Sequence, residues 1–203
     1  MIAIIDYGAG NLSSVKKALD YLGAESEITD DKEKIFSATH IILPGVGSFG
    51  DAMMSMQKKG LTEAVKEAAV SGKPFLGICL GLQLLFESSD ESPDVKGLGI
   101  LNGKIVTIPK ENGLKVPHIG WNSISLRQKG GIFKDLRDES YFYFVHSYYL
   151  KGADNDAVAA TTQYGVEIEC AVQKGNLCAT QFHPEKSGEA GLKLLKNFID
   201  MEA

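Results

Sequence analysis

Cys79 lies in Gly77-Ile78-Cys79-Leu80-Gly81, where a short apolar run meets an apolar helical pattern. A nucleophile between glycines at a strand-to-helix turn forms an elbow, here with cysteine in the place often held by serine. Such a turn demands strained backbone angles at the nucleophile, and the flanking glycines remove side chains that would clash. The free N–H groups and dipole of the following helix favour a thiolate. A small buried cysteine in a plain turn would also fit this segment. His183 and Glu185 stand two apart in Gln181-Phe182-His183-Pro184-Glu185. In extended backbone such residues share a face, and Pro184 stiffens the spacing. A thiol needs a base to take its proton, and the base needs a partner that holds its tautomer. Alone, the pair reads as a surface His and Glu; beside the elbow, it supplies a base and its orienting acid.

Acyl transfer from an amide passes through an oxyanion, which needs N–H donors already in place. The Leu80 N–H, next to Cys79, can be one. Pro44-Gly45-Val46-Gly47 directly follows a buried strand, and this loop can provide the other. A plain turn fits the same pattern. Gly8-Ala9-Gly10-Asn11-Leu12-Ser13 approaches a dinucleotide fingerprint, but Ser13 stands where a third glycine is needed. A tight turn, or a surface for another chain, explains these glycines better. Neither His40, His118 nor His146 is close enough in sequence to another histidine to suggest a metal face.

The elements that must position these groups alternate in the first half. Ile2–Ile5, Ile41–Leu43 and Phe75–Ile78 are apolar runs typical of strands buried on both faces. Leu12, Val15, Leu19 and Leu22 recur at helical spacing and Gly23 stops that helix. A helix is expected over 61–70, and another after Cys79 holding Leu82, Leu84, Leu85 and Phe86. Segment 87–94 is polar and acidic and reads as a surface loop. The second half reads as short strands at 104–108, 141–145, 157–161, 168–173 and 177–181, with Lys174-Gly175-Asn176 as a hairpin loop. Leu192, Leu195 and Ile199 mark a final helix. The fold class expected is α/β in one domain over 1–203, with a mostly parallel central sheet flanked by helices and added antiparallel strands.

Composition fits that reading. The 203 residues are 44% hydrophobic and 23% charged, which suits a globular domain with a sizeable core. Its 21 basic and 26 acidic residues leave a net charge of -5 with no basic block, which argues against nucleic acid as a partner. No apolar run approaches the roughly 20 residues of a membrane span, and MIAIIDYG lacks a signal peptide's basic start. The three cysteines, Cys79, Cys170 and Cys178, do not suggest a disulfide framework, so a reducing cytoplasm is expected. No CxxC or HxxxH spacing points to zinc.

The elbow GICLGLQ at 77–83 and HPE at 183–185 resemble the class I glutamine amidotransferases. Within them, IIDYGAGNLSSV at 4–15, LPGVGSFGDAM at 43–53, HIGWN at 118–122, FVHSYY at 144–149 and QFHPEKSG at 181–188 are similar to the glutaminase subunits of imidazole glycerol phosphate synthases. Many relatives carry two adjacent glycines in the loop where this chain has Gly45-Val46-Gly47. The resemblance implies a Rossmann-like or flavodoxin-like glutaminase domain with no metal or organic cofactor. It implies Cys79, His183 and Glu185 as catalytic residues and an oxyanion hole from Gly45, Val46, Gly47 and Leu80. It implies glutamine contacts from Gly47, Gln83, Ser147 and Tyr148. The implied partner is a (β/α)8-barrel cyclase that receives the ammonia, met through Asn11, Trp121 and Lys186. A core position for Trp121 fits equally well. Rival readings are a glutaminase of vitamin B6 or purine synthesis, a noncatalytic module that kept the fold, and a cysteine peptidase on the same fold. DYGAGN and HIGWN argue against the first, the intact Cys79, His183 and Glu185 against the second, and Gln83 with FVHSYY against the third.

Overall fold

The strand β1 (Ile2–Ile5) is buried along its whole length, as an unbroken apolar run requires of a strand covered on both faces. This computed structural model describes residues 1–8, 10–110 and 113–202. Ala9 of the glycine-rich turn therefore lies outside the described residues. After that turn, α1 (Leu12–Tyr21) buries Val15, Ala18 and Leu19. It ends in a Schellman motif: Gly23, at φ +74°, donates to Asp20, and Ala24 donates to Leu19.

Next come β2 (Ser26–Thr29), α2 (Lys32–Ser37), β3 (His40–Gly45), α3 (Phe49–Lys58), α4 (Thr62–Val70) and β4 (Phe75–Cys79). The helix α5 that follows Cys79 covers only Leu80–Leu84, so it is shorter than the apolar run through Phe86 suggests. The chain turns out because Leu85 and Phe86 close the last turn with i→i−3 bonds. Segment 87–94 is not simply a surface loop. It contains β5 (Ser88–Ser89), which pairs in parallel with β6 (Lys104–Thr107) and buries Ser89.

The remaining strands are β7 (His118–Ser123), β8 (Ser125–Leu126), β9 (Tyr141–His146), β10 (Tyr148–Lys151), β11 (Val158–Tyr164), β12 (Val166–Lys174) and β13 (Leu177–Thr180). α6 (Gly188–Ile199) closes the chain. The main sheet runs β2-β1-β3-β4-β13-β12-β10-β6-β5. Its first five strands are mutually parallel, and β12, β10 and β11 add antiparallel pairs. The expected α/β class, a largely parallel sheet with antiparallel additions, is what the chain forms.

One apolar cluster holds Val15 and Leu19 of α1 with Leu194, Leu195 and Phe198 of α6. The other holds Phe49, Met53 and Met56 of α3 with Val65 of α4. Helices thus cover both faces of the sheet, which explains the unbroken hydrophobicity of β1, β3 and β4. β7 and β9 form a separate antiparallel ribbon. Among the described residues no helix is long and apolar enough to cross a membrane.

Candidate active site

In open parallel sheets, sites form at the carboxyl ends of the strands. β3 ends at Gly45 and β4 at Cys79, and these two residues are paired in register. Cys79 sits at φ 54°, ψ −108°, a conformation that L residues avoid and that costs on the order of 1–3 kcal/mol. Its neighbours make the turn possible. A Cβ on Gly81 would fall 1.8 Å from the Leu43 carbonyl oxygen, and one on Gly77 would fall 2.9 Å from the Gly81 oxygen. Glycine at both positions lets α5 pack against the backbone of β3, which drives Cys79 into the strained angles an elbow needs.

Cys79, Leu80, Gln83, His183 and Lys186 line one cavity of about 460 Å³ with Val46, Gly47, Ser147 and Tyr148. That volume suits a small-molecule ligand. His183 follows β13 and is buried. Its Nδ1 is 2.8 Å from Glu185 Oε1, with both side chains almost fully enclosed. Burial alone would push the imidazole's pKa down. The Cys79 sulfur and the Glu185 carboxylate more than offset this and hold it at about 9. The sulfur is near enough to act electrostatically but lies outside hydrogen-bond geometry: His183 Nε2 has no partner. Cys79 Sγ instead faces Gln181 Nε2 at 3.7 Å and the Val145 carbonyl at 4.0 Å. The arrangement pairs a strained cysteine with an imidazole whose positive charge is favoured and whose far nitrogen is bound to a carboxylate.

Of the four oxyanion candidates, Val46, Gly47 and Leu80 reach the cavity. Gly45 is buried beneath, where a Cβ would meet the Tyr7 hydroxyl at 2.4 Å. α5 is too short to carry a full macrodipole, so what it offers Cys79 is its first unpaired N–H groups. Gln83 lines the cavity, but its Nε2 already donates to the Tyr148 carbonyl at 3.2 Å and to Gln181 Oε1 at 3.0 Å. What it turns toward a substrate is therefore not a free N–H. Trp121 is not a core aromatic: it is 55% exposed and meets Tyr143 edge-on at 6.2 Å. Lys186 Nζ lies 5.9 Å over the same Tyr143 ring. Asn11 lines a small crevice with Gly45, Val46, His183 and Glu185.

Three functional candidates escaped the sequence reading. Gln181 stands two residues before His183, yet nothing in its type marks it as a neighbour of Cys79. His118 and His146 are 28 residues apart, but β7–β9 pairing brings His118 Nδ1 within 3.0 Å of His146 Nε2. Only the alternating strand pattern FYFVH hinted that His146 would point inward. Among the described residues, no group of three His, Cys, Asp or Glu side chains could hold a metal ion.

A model of the family described as "Glutamine amidotransferase class-I" matches residues 3–201. The chain belongs to the class I glutamine amidotransferases. It is 52% identical over 200 residues, 98% of this chain and 94% of the relative, to "Imidazole glycerol phosphate synthase subunit HisH" of Moorella thermoacetica. It is 51% identical over 201 residues to the protein of the same name from Caldanaerobacter subterraneus subsp. tengcongensis, covering 99% of this chain and 98% of that one. "Structure of PurLQS from Thermotoga maritima" superposes with a TM-score of 0.76 at 21% identity, covering 98% of this chain and 97% of that chain. The last likeness speaks for the fold alone. This amidotransferase therefore has the family's sheet, with Cys79 at the carboxyl end of β4.

Proposed function

We propose that this chain is the glutaminase subunit of an imidazole glycerol phosphate synthase, and that Cys79, His183 and Glu185 carry its chemistry. The Cys79 thiolate attacks the side-chain carbonyl of glutamine, and a C–S bond forms as the carbonyl becomes an oxyanion. N–H groups of Leu80 and of the Gly45-Val46-Gly47 loop receive that charge. His183, held by Glu185, gives its proton to the departing nitrogen, and ammonia leaves. His183 then takes a proton from water, which attacks the thioester and releases glutamate. Ser147, Tyr148, Gly47 and Gln83 form the walls that hold the substrate. No cofactor enters this scheme.

The ammonia passes to a (β/α)8-barrel cyclase partner, which makes imidazole glycerol phosphate and aminoimidazole carboxamide ribonucleotide in histidine biosynthesis. A closed route matters because ammonia is protonated in bulk water and loses its nucleophilicity. The exposed Ile119, Trp121 and Tyr141, with Lys186 over the neighbouring Tyr143 ring, form the docking face, and Asn11, in the crevice with Glu185, joins it. The whole of 1–203 acts as one glutaminase domain. Its setting is the cytoplasm, in keeping with three unpaired cysteines.

The observation that carries this reading is the strained Cys79 beside the buried His183–Glu185 pair, in a chain about half identical to HisH subunits. The test is Cys79→Ala in the complex. Synthesis driven by glutamine should vanish, while synthesis driven by added ammonia should persist. Equal loss of both would sink the division of labour.

A further inference from the structure

At the wall of the Cys79 cavity stands a buried pair of imidazoles whose protons can be placed: His146 lines the cavity and His118 packs behind it. His118 Nδ1 lies 3.0 Å from His146 Nε2, so a single hydrogen sits between them. The flanking contacts decide who owns it. His146 Nδ1 is 2.9 Å from the Tyr148 carbonyl, which can only accept, so that nitrogen carries a hydrogen. His146 Nε2 is then the acceptor, and His118 Nδ1 the donor. At the other edge of His118, Nε2 faces Asn122 Nδ2 at 3.4 Å. That amide is itself oriented: Nδ2 donates to the Gln163 carbonyl at 2.9 Å, and Oδ1 accepts from the Ser123 N–H at 2.9 Å. His118 Nε2 therefore accepts.

A second proton on either ring would set two donors against each other. Both imidazoles are thus locked neutral. The packing agrees, because His118 stacks on Tyr164 at 3.9 Å and on Phe144 at 4.8 Å, each at 19°. Burial holds His118 at about 4. Burial holds His146 at about 3 despite its bond to Tyr148, and the charge favoured on His183 acts in the same direction. Among the described residues, the titratable groups that face the pair are Tyr164, stacked on His118, and His183, which acts on His146.

The series continues to the nucleophile. The Tyr148 carbonyl takes a second hydrogen bond from Gln83 Nε2, which also donates to Gln181 Oε1. That leaves Gln181 Nε2 to face the Cys79 sulfur. We propose that His118 is a positioning residue for the cavity beside Cys79: its Nδ1–H fixes the tautomer of His146, and His146 in turn pins the Tyr148 carbonyl and the Ser147–Tyr148 wall. This inference rests on the glutaminase reading above, but its core, the two tautomers, can be read without turnover.

The first measurement is long-range 15N–1H NMR of the full chain labelled at histidine. His118 and His146 should both appear as Nδ1–H tautomers and stay neutral from about pH 8 to about pH 5. A His146 Nε2–H tautomer, or a midpoint near 6.5 for either ring, overturns the assignment. The second is glutaminase kinetics of the chain copurified with its cyclase subunit. His118→Phe keeps a stacked ring but has no donor, whereas His118→Asn offers an N–H near the Nδ1 position. In His118→Phe the KM for glutamine should rise roughly tenfold, the effect of about one hydrogen bond, with kcat within about threefold. His118→Asn should recover most of that loss. An unchanged KM in His118→Phe, or equal losses in both variants, rejects the positioning role. If His118→Phe does not fold, the wild-type spectra still decide. A failure of the glutaminase reading shows separately, as glutamine turnover that survives Cys79→Ala.

Discussion

At Val46 one side chain can set the resting rate. Val46 is 40% exposed at the cavity mouth, and Gly47 next to it sits at φ +102°. Among the described residues, Val46 is not one of the non-glycine residues at positive φ. For the Gly45–Val46 peptide to turn its N–H toward an oxyanion, ψ of Gly45 and φ of Val46 must change together. Gly45 absorbs this freely, but a β-branched residue at positive φ is strained by on the order of 1–3 kcal/mol. Losing one oxyanion donor lowers kcat roughly 10²–10³-fold, or about 2.7–4 kcal/mol. The magnitudes are close enough for the strain to hold the loop mostly at rest. Val46→Gly should therefore raise the basal glutaminase rate of the isolated chain and shrink the ratio between activated and basal rates. A basal rate that is unchanged or lower would rule out this role and leave Cys79, His183 and Glu185 untouched.

The elbow is a property of three elements together. Gly81 lies inside α5, where alanine is ordinarily favoured over glycine by about 1 kcal/mol. Here the added methyl would stand 1.8 Å from the Leu43 carbonyl oxygen of β3, a backbone atom that cannot rotate away. Overpacking costs about 1–3 kcal/mol and outweighs the helix preference. In a chain of this size Gly81→Ala should lower the melting temperature by on the order of 5 °C. It should also disturb Cys79, because α5 and β4 could no longer hold their present separation. Thermal unfolding monitored by circular dichroism provides the check, and a variant as stable as the parent would show that the contact relaxes cheaply.

Across the whole molecule, the sheet is buried on both faces, but the β7–β9 ribbon stands apart with Ile119, Trp121 and Tyr141 exposed. Aromatic residues in such a patch commonly dominate binding. Trp121→Ala should weaken the complex with the proposed cyclase subunit by at least roughly 30-fold in Kd, equivalent to about 2 kcal/mol. The chain's own melting temperature should barely move, since the side chain is more than half exposed and meets Tyr143 edge-on. Titration calorimetry would read the affinity, and an unaltered Kd would remove Trp121 from the interface.

Much of this was determined by the sequence alone. β1, β3 and β4 announce themselves because strands covered on both faces must be apolar throughout. Gly23 announces a helix end because a left-handed C′ residue is nearly always glycine. Gly77 and Gly81 announce the elbow because no other residue leaves room for it. α3 was not read as a helix, because its first turn continues the glycine-bounded loop after β3, although Phe49, Ala52, Met53 and Met56 stand at helical spacing. β2 was not legible either: it is a short edge strand of mixed polarity, Ser26-Glu27-Ile28-Thr29, with no clear alternation. Residues whose role depends on a partner distant in the chain could be decided only by the tertiary structure. Gln181 reaches Cys79 because β13 lies beside β4. His118 meets His146 because β7, which the sequence does not mark as a strand, pairs with β9 in one register, and a slip of one residue would separate the two rings.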